Sequence, residues 1–146
     1  MKIPISVLVV IYTASNEVLL LERADHPGYW QSVTGSLDDV NEPLIEAAAR
    51  ELFEETGIDV KCLQPNSLVS MSHAIEYEIY PEWRHRYPPG VVSNREHWFK
   101  VCVPSNSPIH LAPREHLSYR WEPAELAAQL CFSPSNREAI LRLNSD

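Results

Sequence analysis

Apolar residues recur along this chain in two rhythms. Residues 7–11 (Val-Leu-Val-Val-Ile) are continuously apolar and mostly β-branched, the pattern of a strand buried on both faces. Val18–Leu21 is similar and follows a turn containing Ser15 and Asn16, so the two segments predict a hairpin. Tyr29–Val33, Ile58–Val60, Leu68–His73, Glu76–Tyr80, His97–Val103 and Tyr119–Trp121 are further short strand candidates. The other rhythm has a spacing of four. Leu44, Ala48 and Leu52, with Ile45, Ala49 and Phe53, put an apolar stripe on a helix over Glu42–Thr56. Pro43 is tolerated in its first turn, Asp39 and Glu42 have capping-box spacing, and Gly57 stands where a C-terminal cap belongs. Glu125–Leu130 predicts a short helix, and Ser135 with Glu138 a second capping box opening a terminal helix through Leu143. Trp83–Asn94, with Pro88-Pro89-Gly90, reads as a loop.

Strands, helix, strands, helix is the order of a mixed α+β domain. At 146 residues the chain has the length of one domain, taken as residues 1–146, and can bury a core without staples. The cysteines, Cys62, Cys102 and Cys131, are odd in number and far apart. That argues against a zinc cage or disulfide framework and for reduced, mostly buried thiols in a cytoplasmic protein. The net charge of −8 disfavours both nucleic acid and anionic membranes as partners. The longest apolar run, Ile5–Tyr12, is too short to span a bilayer.

The chemistry is concentrated in Arg50-Glu51-Leu52-Phe53-Glu54-Glu55-Thr56-Gly57-Ile58. Glu51, Glu54 and Glu55 lie at i, i+3 and i+4, so a helix presents all three carboxylates on one face. Like charges at that spacing destabilise a helix unless something compensates, and a hard divalent cation with oxygen ligands would do so. A solvated acidic face, with Arg50 paired to Glu46 and Glu54, is the plainer reading of the same pattern.

Upstream context decides between the two. Gly35, Glu42, Arg50-Glu51, Glu54-Glu55 and Gly57-Ile58 follow a pattern that resembles the Nudix box, and every fixed position from Glu42 to Ile58 matches. Six residues, Ser36–Asn41, separate Gly35 from Glu42, one more than the pattern has, and the addition falls in the loop before the helix. The resemblance implies a Nudix-type α/β/α sandwich with a mixed central sheet. It also implies a hydrolase using Mg2+, with Mn2+ as an alternative, to cut a diphosphate linkage. By the same likeness Glu51, Glu54 and Glu55 are metal ligands, Arg50 orients them, and Glu115 is a further ligand or base from a late loop.

Beyond the box, residues 6–12, 30–36, 84–87, 89–90, 115–117 with Tyr119 and Trp121, and 135–137 resemble the branch of the family that converts dihydroneopterin triphosphate to the monophosphate and pyrophosphate in folate biosynthesis. That likeness implies substrate positions at Thr34, at Tyr77, Glu78, Ile79 and Tyr80, and at Ser133. A triphosphate is a polyanion, and Lys2, Arg23, Arg84 and Arg86 are the cations that could meet it. Trp30, Tyr77, Tyr80, Trp83 and Trp98 are the candidates for stacking on a planar ring. His116 is placed to orient Glu115. Other nucleoside triphosphates or nucleoside-diphosphate derivatives remain alternative substrates. A non-catalytic ligand-binding module is disfavoured because Arg50 and all three box glutamates are present. The expected partner is a small-molecule triphosphate, and the expected state a monomer or small homo-oligomer.

Overall fold

The computed structural model describes residues 1–144. Strand β1 (Ile5–Tyr12) lies at the centre of a seven-stranded sheet and is buried on both faces. Val7, Val9 and Ile11 face one core and Leu8 and Val10 the other, as the two-residue period of a strand requires. Its partner β6 (Ser93–Cys102) runs parallel, with Ile5 opposite Arg95 and Tyr12 opposite Cys102. The remaining pairings are antiparallel. Strand β4 (Val33–Ser36) lies along the first half of β1, and β2 (Glu17–Arg23) meets its end at Tyr12 and Val18. β2 also carries β3 (Trp30–Gln31) and β7 (His116–Pro123), and β5 (Leu68–Glu78) pairs with β6.

Helix α1 (Leu44–Thr56) covers the first face with Ala47, Ala48 and Leu52. Helices α2 (Ala124–Leu130) and α3 (Pro134–Leu141) cover the second with Ala127, Ala128, Ala139 and Ile140, around Trp98. The result is the expected α/β/α sandwich on a mixed sheet. Trp98 is therefore a core residue and not a stacking platform. Among the described residues no helix is long and apolar enough to cross a membrane.

Several local expectations are corrected. Ile58–Val60 is not a strand: the chain makes a 3-10 turn at Val60–Cys62, with Asp59 accepting from the Lys61 amide. The segments at 68–73 and 76–80 fall largely in one strand, β5, which ends at Glu78 and is interrupted by a register shift between Ser70 and Ala74 where Ser72 takes φ 54°, a bulge. Strand β7 extends well beyond Tyr119–Trp121. The supposed loop at 83–94 contains a 3-10 helix, Pro81–Arg86, and ends in β6. The first capping box does not form at the helix start. Pro43 is the N-cap residue, while Asp39 accepts from the Asn41 amide and Glu42 from the Asp38 amide. On α3 the cap is Ser133 and not Ser135, and the helix stops at Leu141, short of Leu143. Ile45 and Phe53 are exposed because the buried stripe of α1 runs through Ala47, Ala48 and Leu52 instead. Cys131 is buried, but Cys62 is exposed.

Candidate active site

Helix α1 crosses beneath β4, and the contact between them is built for close approach. A Cβ on Gly35 would overlap the Glu51 carboxylate, so only glycine lets that carboxylate lie against the strand. Arg50 gathers the surrounding acids. Its Nε and Nη2 donate to the two Glu42 oxygens at 2.9 and 3.0 Å, the fork geometry that suits guanidinium. Its Nη1 donates to Glu51 at 2.7 Å and more weakly to Glu54, and Nη2 also reaches the Ser36 carbonyl. The extra residue in the Gly35–Glu42 loop therefore leaves both Glu42 and Gly35 in place. Glu42 serves Arg50 instead of capping the helix, and its own carboxyl is held low by that hydrogen bond.

Glu55 is nearly inaccessible, with its side chain 3% exposed. One oxygen lies 2.8 Å from His116 Nε2, and the other has no partner. His116 opens β7 and is buried too, with its Nε2 turned to Glu55. Ligand atoms of Glu55, Glu115 and His116 lie within 4.8 Å of one another. Glu115 is positioned by its carbonyl, which accepts from the Ala24 amide just beyond β2. Burial pushes the Glu51 and Glu55 carboxyls far above the usual carboxylate range, and neighbouring acids add to it: Glu55 and Glu54 act on Glu51, and Glu115 and Glu54 on Glu55. Burial lowers His116, favouring neutral imidazole. A buried carboxylate oxygen without a donor is costly, and crowded acids with a neutral imidazole form a donor set that fits a divalent cation. Glu54 shares the helix face but is half exposed and tied to Arg50.

The cleft beside this cluster has two chambers. A polar one of about 300 Å³ is lined by Glu55, Glu115, His116, Arg86, Arg114 and Asp25. A larger one of about 330 Å³ is lined by aromatic and apolar side chains with a few polar groups. Lys2, Arg23, Gln31 and Thr34 border both. The cations at this junction are held in position. Arg23 donates to both Asp25 oxygens at 2.7 Å and to Gln31 at 3.0 Å, and stacks 4.6 Å over Trp83. Arg86 also reaches Asp25 and Trp83. The Arg23 hydrogen bonds hold Asp25 down at about 2. The Lys2 ammonium is lowered by desolvation and then by Arg86 and Arg23, the mark of three cations converging on one space.

Of the residues singled out in the sequence, Tyr77, Glu78, Ile79, Tyr80 and Ser133 line the larger chamber. Lys2, Arg23 and Thr34 border both chambers, and Arg86, Glu55 and Glu115 line the polar one. Arg84 borders neither: it is spent on the Ile79 carbonyl and on Glu78. Trp30 sits under Arg120, outside both linings. Gln31, Asn94, Glu96, Ser135 and Asn136 line the larger chamber but were not assigned to the substrate from the sequence. The missed signal is polar residues among the core side chains of strands, Gln31 on β3 and Asn94 and Glu96 on β6, while Ser135 and Asn136 come from α3.

A fold of this kind with a box-bearing helix defines a Nudix protein, and the NUDIX domain model matches residues 2–143. The chain belongs to that family, whose hydrolases use a divalent metal, and is a Nudix hydrolase. It is 46% identical over 140 residues to the dihydroneopterin triphosphate diphosphatase of Escherichia coli strain K12, covering 95% of this chain and 91% of that protein. The enzyme of the same name from Haemophilus influenzae is 40% identical over 136 residues, covering 92% and 84%. The solved structure of the E. coli dihydroneopterin triphosphate pyrophosphohydrolase superposes with a TM-score of 0.89 at 45% identity, over 97% of this chain and 95% of that one.

Proposed function

We propose that this protein, acting as a single domain, hydrolyses dihydroneopterin triphosphate to dihydroneopterin monophosphate and pyrophosphate in the presence of Mg2+, with Mn2+ able to substitute. The observation that carries the reading is the joining of two unlike chambers through Lys2, Arg23, Gln31 and Thr34. One has the acids and cations for a metal-bound polyphosphate, and the other has the aromatic walls for a planar ring. The identity to the two diphosphatases supports the choice of ring.

In this reading Glu51, Glu55 and Glu115 hold the ion, with Glu54 beside them on the helix face. When bound, the ion lowers the pKa of a water and offsets charge on the phosphates. Arg50 fixes the Glu51 carboxylate, and His116 fixes Glu55. Lys2, Arg23 and Arg86 bind the phosphate chain and keep it beside the acids, which converts the attack of water into a positioned, nearly unimolecular event. Thr34 borders both chambers, and Ser133, Tyr77, Glu78, Ile79 and Tyr80 wall the ring chamber. Water cleaves one P–O–P link, leaving the monophosphate and releasing pyrophosphate.

The test is pyrophosphate release in Mg2+ from dihydroneopterin triphosphate beside dATP, dGTP and ADP-ribose. A strong preference for the pterin, lost with chelator, is expected. Turnover confined to the other compounds would retain a hydrolase and remove the pterin assignment.

A further inference from the structure

Strand β6 presents Asn94, Glu96 and Trp98 on one face, two residues apart. Trp98 is core, 1% exposed. Asn94 and Glu96 continue the same row at 1% and 3% exposure, where a strand facing α2 and α3 would ordinarily carry apolar residues. Both line the ring chamber. A carboxyl and an amide are expensive in such places unless their hydrogen-bonding capacity is used.

That capacity is only partly used by the protein. The Trp98 indole N–H donates to Glu96 Oε1 at 3.0 Å. Asn94 Nδ2 donates to Ser6 Oγ at 2.7 Å and to the Tyr77 hydroxyl at 3.1 Å, which leaves Oδ1 as the free end. Asn94 Oδ1 is buried and has no partner. Burial raises the Glu96 carboxyl, partly offset by Trp98 and Ser135. The end of the chamber therefore offers acceptors, a carboxylate and a lone amide oxygen, and calls for a ligand edge made of donors.

We infer that Glu96 and Asn94 are the ring-reading residues of this enzyme, selecting a 2-amino-4-oxo-pyrimidine edge, common to pterin and guanine rings, by accepting from its 2-amino group and adjacent ring N–H. An adenine ring places a ring-nitrogen acceptor and a C–H where that edge has donors, so it leaves both acceptors unmet. The inference deepens the proposed function and rests on it for the position of the ring, but it makes a claim of its own about specificity.

Binding of phosphate-free and monophosphate probes separates the two. Neopterin is followed by its own fluorescence, and GMP, IMP and AMP by competition. Wild-type protein should bind GMP about tenfold or more tighter than IMP, which lacks only the 2-amino group, and should discriminate against AMP similarly, the loss expected for a hydrogen bond to a charged acceptor. E96Q retains an acceptor for the Trp98 indole but puts an amide donor at the ring edge. It should weaken neopterin and GMP about tenfold while AMP changes little. Equal affinity of the wild type for GMP and IMP, or an E96Q protein with the preference intact, overturns the inference. The GMP and IMP comparison needs no variant, so misfolding of E96Q cannot shelter the claim. A wild type that prefers GMP to IMP but does not hydrolyse dihydroneopterin triphosphate sinks the substrate reading alone. Turnover of that substrate without ring discrimination sinks this inference alone.

Discussion

At the scale of single residues, the site is defined by groups that are costly without a ligand. Glu55 is buried, faces a neutral imidazole on one side, and has an oxygen with no donor on the other. Replacing it by Gln removes the ionisable group and retains the shape. Glu55→Gln should fold with a metal-free Tm no lower than the parent's. It should lose roughly 100-fold or more of metal-dependent turnover, a loss of the order expected when one transition-state charge contact is removed. Thermal melts and turnover on one preparation check both halves, and near-parental turnover would refute the metal assignment. Gly35→Ala acts on the opposite wall. Its Cβ would displace the Glu51 carboxylate, so metal affinity should fall roughly 10- to 100-fold with the fold intact, read as the Mg2+ dependence of turnover. The shared face of Glu51, Glu54 and Glu55 was legible because helical spacing is local. The pairing of His116 with Glu55 and the polar row at Asn94 and Glu96 were not. The first joins β7 to α1, 61 residues apart, and the second depends on what packs over β6, which the strand's own sequence does not state.

Among the elements, α1 shows how local signals can fix position. Its Gly57 cap has φ 76° and donates its amide to the Phe53 carbonyl, ending the helix just past Glu55 and Thr56. An added Cβ would sit 3.1 Å from the His110 Cβ, in a backbone region that costs a side chain about 1–2 kcal/mol. Gly57→Ala should destabilise by about that amount, measured by urea unfolding, and an unchanged midpoint would contradict it. The end of α1 was legible for this reason, but its beginning was not. Glu42 has the spacing of a capping residue, yet its carboxylate goes to Arg50, a charge-assisted pairing that outweighs a neutral cap. The sequence divides strand β5 into two pieces, Leu68–His73 and Glu76–Tyr80. Its unity comes from pairing with β6 on both sides of the bulge, information that a strand's own sequence does not hold. The 3-10 helix at Pro81–Arg86 was hidden likewise: its Trp83 is positioned by stacking with Arg23 and Arg86, and these contacts turn an apparent loop into a wall of the cleft.

For the whole molecule, the site couples stability to pH and metal. In the metal-free protein Glu51 and Glu55 have carboxyls raised above the ordinary 4.5, chiefly by burial. An acid with a raised folded-state pKa keeps its proton where the unfolded chain has released it. Its contribution to stability is full below the unfolded value and is lost as pH climbs towards the folded one. Other groups act elsewhere. His116 and His97 are lowered, again mainly by burial, so their contribution is lost below the ordinary imidazole range and is constant above it. Asp25, lowered to about 2 by Arg23, contributes throughout and weakens only in strong acid. Between about pH 7 and about pH 8 the histidines are largely neutral in both states and Asp25 is charged in both, so the slope there comes mainly from the buried acids, Glu51 and Glu55, with Glu96, whose carboxyl burial also raises. In chelator, Tm should fall across that interval. Mg2+ takes the place of the protons, so saturating metal should flatten the slope and raise Tm more at the upper pH than at the lower. Glu55→Gln, with one of these acids removed, should show a shallower slope in chelator and a smaller gain from Mg2+. Differential scanning calorimetry of both proteins, with and without Mg2+, gives four curves. A metal-induced gain in Tm that is equal at the two pH values would mean that the cation binds away from these carboxylates.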